Sequence, residues 1–208
     1  MEIQLNEFNK KIQGQDVLKN INLTLESGKI YSFVGKNGSG KSMLLRAISG
    51  LIVSTSGSVA IDGQLLGQDL SFPPDTGILI DTPKYLNNLS GFDNLQFIAS
   101  IKKQITDNDI KKWMNVFSLP INKMVFRKYS AGMKQKVGII QALMEEPKLL
   151  LLDEPFNALD EESVTILRDI LLELKKRNVL IVITSHNMQD HELLSDEIIG
   201  IKEGMLEI

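Results

Sequence analysis

The 208-residue sequence predicts an α/β fold: a largely parallel sheet core, an antiparallel β subdomain near the N-terminus, and an inserted helical subdomain. Three observations carry this. From Lys148 onward, short apolar runs alternate with helical patterns, which argues for parallel strands joined by crossover helices. A glycine-rich loop, Gly35-Lys36-Asn37-Gly38-Ser39-Gly40-Lys41-Ser42, joins an apolar run over 30–34 to a helical pattern. Between them, residues 84–145 have helical periodicity, so the chain reads as one domain, with its core in 1–83 and 146–208.

The elements follow in order. Ile3 and Leu5, then Val17 through Leu25, alternate apolar with polar residues around a Gln13-Gly14-Gln15 turn, the pattern of antiparallel strands. Ser27-Gly28 leads into the buried strand 30–34. After the glycine-rich loop, Leu44, Leu45, Ile48 and Leu51 keep helical spacing until Gly50 ends the pattern, and Val59 to Ile61 with Asp62-Gly63 reads as a hairpin. A short strand, 78–80, precedes Asp81-Thr82-Pro83. In the helical region Phe92, Leu95 and Ile98 or Ala99 share one face, and Ile110, Trp113, Met114 and Phe117 share another. Such stripes are core-forming, and Thr106 with Asp109 forms a capping box for the second helix. The C-terminal third alternates strand 149–152, helix 161–176, strand 179–184, a short helix from Asn187, and strand 198–201.

Composition narrows the function classes. A formal net charge of -3 and a pI near 5.5 supply no basic surface, so no nucleic-acid partner is expected. The absence of cysteine excludes disulfides and thiolate metal sites, which suits a reducing cytosol. No apolar run reaches the roughly 18 residues that a membrane span needs, and residues 1–10 lack the pattern of a signal peptide.

The glycine-rich loop is a phosphate cradle. Glycines let the backbone turn its N–H groups inward, and the helix behind adds its positive dipole end. Lys41 reaches the β/γ-phosphates, Ser42 reaches Mg²⁺, and Met43 adjoins the loop. Such a loop serves kinases, GTPases and motors alike. Later motifs must decide. Leu149 to Leu152 form a strand buried on both faces, placing Asp153 at its carboxyl end as a Mg²⁺ ligand through water. Glu154 follows, able to polarise the water that attacks the γ-phosphate, which favours hydrolysis over transfer to a second substrate. Tyr129-Ser130-Ala131-Gly132-Met133-Lys134-Gln135 opens a helix with Ser130 at its N-cap, a second anion-binding device.

In this order the motifs resemble those of the nucleotide-binding subunits of ABC transporters, over essentially the whole chain. GKNGSGKS is similar to Walker A, YSAGMKQ to the signature motif, and LLLLDEP to Walker B with its following glutamate. Asn157-Ala158-Leu159-Asp160 resembles the D-loop, and His186 the switch histidine. The resemblance implies a RecA-like P-loop NTPase core that binds ATP and Mg²⁺. It implies a head-to-tail pair, homodimeric or with a paralogous subunit, in which the partner's copies of Ser130 and Gly132 cover the ATP on this subunit's loop. His186 would contact the γ-phosphate and orient Glu154. His191 matches no motif and reads as a surface residue. A separate transmembrane permease would dock on 84–144 and hold the chain on the cytoplasmic face of the membrane.

Two positions depart from the family pattern. Asp81 stands where glutamine is usual; it is shorter and, when ionised, cannot donate a hydrogen bond. A metal-site role for Asp81 and loss of the usual γ-phosphate-sensing link both stay open. Sequences resembling bacitracin-type and lantibiotic-type exporter ATPases also tend to carry an acidic residue followed by x-Pro here, which points to export. Ile12 falls where the family places an aromatic on adenine, and offers only apolar packing, so weak base selectivity is expected. The reading is an ATPase subunit powering export through a separate permease. The alternative is a soluble ABC-type ATPase in cofactor assembly or another cytosolic machine.

Overall fold

The computed structural model describes residues 1–81, 84–185 and 193–207. Two sheets organise them. The first is antiparallel and runs β2-β1-β4-β5, from β1 (Glu2–Ile12), β2 (Gln15–Glu26), β4 (Ser56–Ile61) and β5 (Gln64–Leu65). The second runs β10-β9-β3-β8-β7-β6, from β3 (Ile30–Val34), β6 (Thr76–Leu79), β7 (Leu149–Leu152), β8 (Leu180–Thr184), β9 (Glu197–Lys202) and β10 (Met205–Glu207). All its neighbouring strands are parallel except the β9–β10 hairpin.

Period-two geometry explains why this sheet lies in the middle. Leu149 and Leu151 of β7, with Leu180 and Val182 of β8, pack toward the antiparallel sheet beside Phe33, Leu44 and Ile3. Leu150, Leu152, Ile181 and Ile183 face the other way, against Val137, Ile140, Leu167 and Leu171. Both faces are therefore dry. Each leucine of β7 is 0% exposed, and burying one contributes about 1.5–3 kcal/mol.

The helices are α1 (Lys41–Ile48), α2 (Gly91–Lys102), α3 (Asp107–Val116), α4 (Ala131–Leu143) and α5 (Glu161–Lys176). Ser90 with Asp93 and Thr106 with Asp109 form capping boxes at α2 and α3. Hydrogen bonds from Thr106 and then Lys112 hold the Asp109 carboxyl down at about 2. Ser130 and Asp160 cap α4 and α5 through the N–H groups of Met133 and Ser163. Among the described residues, no helix is long and apolar enough to cross a membrane.

Several sequence expectations shift by a few residues. The strand expected over 78–80 begins at Thr76, because its register on β7 pairs Thr76 with Leu149 and Leu79 with Leu152. α1 stops at Ile48 with Ser49 as its C-cap, so Leu51 lies beyond it and is 54% exposed instead of sharing the core face. The N-terminal strands are longer than their clean alternation suggests, since β1 carries register shifts between Leu5 and Lys11 that break the period. The short helix expected from Asn187 begins outside the described residues.

α4 rests directly on β6. A Cβ added to Gly77 would stand 1.9 Å from the carbonyl oxygen of Ala142, so only glycine lets strand and helix approach this closely. Gly77→Ala should destabilise the protein by about 1–3 kcal/mol, seen as a lower urea midpoint at unchanged slope. A wild-type midpoint would show that this packing is loose.

Candidate functional site

The phosphate loop spans the end of β3 and the start of α1. Its glycines are required by geometry. Gly35 has φ +152°, and a Cβ there would lie 2.1 Å from the carbonyl oxygen of Ile201 on β9. Gly40, at φ +117°, is the N-cap residue of α1 and would press a Cβ against Leu18 at 3.2 Å. Lys41 is buried and its Nζ donates to the loop's own carbonyls, Gly35 at 2.7 Å and Lys36 at 3.1 Å. The ammonium thus sits inside the loop, where a phosphate can take over its bonds. Among the described residues Ser39 Oγ is buried with no hydrogen-bond partner, and lies 2.7 Å from the Cβ position of Gly35. It borders the space between the loop and Ile201 of β9.

A cavity of about 450 Å³ opens over this loop, lined by Val17, Asn37, Gly38, Gly40, Lys41, Ser42, Met43 and Glu154. The fold thus brings Glu154 to the loop from across the chain. Thr184 fixes both acidic neighbours. Its Oγ1 donates to Asp153 Oδ1 at 2.6 Å and accepts the N–H of Glu154 at 2.9 Å. Glu154 itself has left-handed backbone, φ +51°, and the Asn157 side-chain amide donates to its Oε2 at 3.3 Å. Ser42 and Asp153 are hard oxygen donors, the type Mg²⁺ takes when phosphates and water complete its shell. Among the described residues, no three His, Cys, Asp or Glu side chains cluster as a self-sufficient metal site.

Other candidate residues lie elsewhere. Ser130 is exposed and Gly132 half-buried at the start of α4, and neither lines the cavity over this subunit's loop. The start of α4 is nonetheless anchored. The hydroxyl of buried Tyr129 accepts the N–H of Gly91 at 3.1 Å, and Lys136 Nζ pairs with Asp160 at 2.8 Å. That ion pair, followed by hydrogen bonds from Ser163, holds the Asp160 carboxyl well below the usual range. Ile12, at the exposed end of β1, does not line the cavity, whereas Val17 of β2 does. Nothing in the sequence singled out Val17, because its place depends on how the antiparallel sheet packs against Gly40. The Asp81 carboxylate pairs with the Arg46 guanidinium of α1 instead of facing the cavity. His186 and His191 lie outside the described residues.

Comparison with known proteins agrees with this geometry. The protein-family model for ABC transporters matches residues 18–157. An uncharacterized ABC transporter ATP-binding protein of Bacillus subtilis, YybJ, is 46% identical, with 99% of this chain and 94% of that protein covered. The bacitracin transport ATP-binding protein BcrA of Enterococcus faecalis is 35% identical over 98% of this chain and 67% of its own length. The lantibiotic transport ATP-binding protein SrtF of Streptococcus pyogenes is 34% identical over 98% and 88%. Among solved structures, an ATP binding subunit of an ABC transporter superposes with a TM-score of 0.88 at 24% identity, covering 100% of this chain and 89% of that one. A dimeric structure of the bacterial ABC transporter cassette MJ0796 gives 0.87 at 24%, covering 99% and 97%. At these identities the structures establish the fold.

The Lys136–Asp160 pair has a pH signature. A depressed folded pKa means that Asp160 contributes stability above its unfolded value, near 3.9, and loses it as pH falls through the folded value. Lys136→Met should therefore flatten the acid limb of stability below about pH 4, measured by urea unfolding across pH. An unchanged acid limb would remove the pair from the account.

Proposed function

Since the chain belongs to the ABC transporter family as one of its ATP-binding, ATP-hydrolysing subunits, we propose that it works as a head-to-tail pair driving export through a separate transmembrane permease. One observation carries the hydrolytic part: Glu154 lines the same cavity as Lys41 and Ser42. A carboxylate in that position can accept the proton of a water whose oxygen attacks the γ-phosphorus while the bond to the β-phosphate oxygen breaks, leaving ADP and phosphate.

The chain's own groups divide this work. Lys41 exchanges its loop carbonyls for phosphate oxygens, and the loop N–H groups with the α1 N-terminus stabilise the negative charge. Ser42 and Asp153 would hold Mg²⁺, which supplies charge neutralisation at the phosphates when bound. Thr184 keeps Asp153 and the Glu154 backbone in register. Ser130 and Gly132 lie away from their own subunit's cavity, which supports a role in covering the nucleotide of a partner. The MJ0796 cassette, whose structure is dimeric, supports a paired assembly.

The relatives named for bacitracin and lantibiotic transport support a transport system for compounds of that kind, and the direction proposed is export. The permease would receive the helical subdomain, residues 84–145, and hold the chain at the cytoplasmic face of the membrane. Asp81, engaged by Arg46, fits a structural link at the start of that segment better than a Mg²⁺ ligand.

Two substitutions test the ATP site. Lys41→Ala should weaken Mg-ATP binding by at least tenfold through lost phosphate contacts. Glu154→Gln should keep ATP binding, abolish turnover and accumulate an ATP-bound dimer by light scattering. A Glu154→Gln protein that binds ATP yet stays monomeric would contradict the paired arrangement.

A further inference from the structure

Within one subunit the first turns of α4 touch the turn after β7 at three places. Gln135 Nε2 donates to the carbonyl oxygens of both Glu154 and Pro155, each at 3.1 Å. Lys136 pairs with Asp160 at 2.8 Å. Gly132 lies so close to the same turn that a Cβ on it would stand 2.6 Å from the carbonyl oxygen of Ala158. In the turn itself Glu154 and Ala158 both hold positive φ, +51° and +62°. That conformation is costly for a residue with a Cβ, and contacts that hold it in place offset the cost.

A primary amide suits this task. Its two N–H donors can serve two successive carbonyls at once, whereas a carboxylate offers only acceptors and a thioether offers no donor. The bonds reach the backbone of Glu154 from the helix whose first residues are proposed to cover the partner's nucleotide. α4 therefore joins the two halves of the chemistry through a half-buried side chain.

We propose that Gln135 is a positioning residue for Glu154, the proton acceptor of the hydrolysis proposed above. From α4 its amide holds the left-handed backbone of Glu154 and so aims the carboxylate into the cavity over the phosphate loop.

The test uses Mg-ATP turnover by the full chain. Gln135→Met should lower kcat roughly tenfold, as for loss of hydrogen bonds to an ordered backbone. KM for ATP should stay within about twofold. Gln135→Lys, which restores a donor, should recover most of the rate. Gln135→Met placed in the Glu154→Gln background should leave the ATP-driven dimer intact, because the clamp serves Glu154 and not the covering of the partner's nucleotide. Should the Met variant fail to fold, Gln135→Asn, one methylene too short to reach, replaces it. An unchanged kcat, or loss of the dimer in the double variant, would overturn the positioning role. If Glu154→Gln alone stays monomeric with Mg-ATP, the paired reading fails, while the split between kcat and KM still decides whether Gln135 positions Glu154.

Discussion

The chemistry of this chain depends on one constraint: three adjacent parallel strands, β3, β8 and β7, must end at the same edge of the sheet. Parallel pairing fixes that edge, because the registers Phe33 with Thr184 and Leu152 with Ile183 bring the strand ends side by side. The residues that follow are then neighbours whatever their separation in sequence. The phosphate loop leaves β3, Asp153 and Glu154 leave β7, and Thr184 closes β8 with a hydroxyl that bonds to both of them. Ligand sites of open α/β sheets lie at such carboxyl ends. Here the strands can sit in the centre only because every one of their residues but Val34 is buried.

What surrounds the sheet then sets the shape of the site. On one face, the antiparallel sheet brings Val17 and Leu18 against Gly40 and closes the cavity beside the loop. On the other face, α4 approaches β6 at Gly77 and carries Gln135 and Lys136 to the turn after β7. The loop holds Lys41 on its own carbonyls, so its conformation does not depend on a ligand to satisfy the buried ammonium. The left-handed Glu154 backbone is a local cost, borne at the cavity where a nucleotide would be handled.

Much of this was legible in the sequence because it is local. The four leucines 149–152, the run 30–34 and the helix 161–176 are found at their expected residues, since continuous apolar runs and capped amphipathic patterns report directly on burial. The capping oxygens of Thr106 and Ser130 also lie where expected. Long-range facts were not legible. Strand order, the position of Val17, the pairing of Asp81 with Arg46 and the two bonds of Gln135 all join residues whose sequence spacing carries no periodic signal. Register misled where β1 shifts its pairing, and helical spacing misled at Leu51, which lies past the expected stop at Gly50, where φ +76° turns the chain away.

On the proposed pairing, one chain holds both halves of a hydrolytic site but completes it only with a second copy or a paired subunit. The most direct measurement is the specific Mg-ATPase activity of the purified chain as a function of its own concentration. A self-pairing chain predicts activity per subunit that rises with concentration and then saturates, as two-chain assembly requires. Activity per subunit that stays constant down to concentrations where light scattering shows only monomer would contradict it, since a single chain would then suffice for hydrolysis.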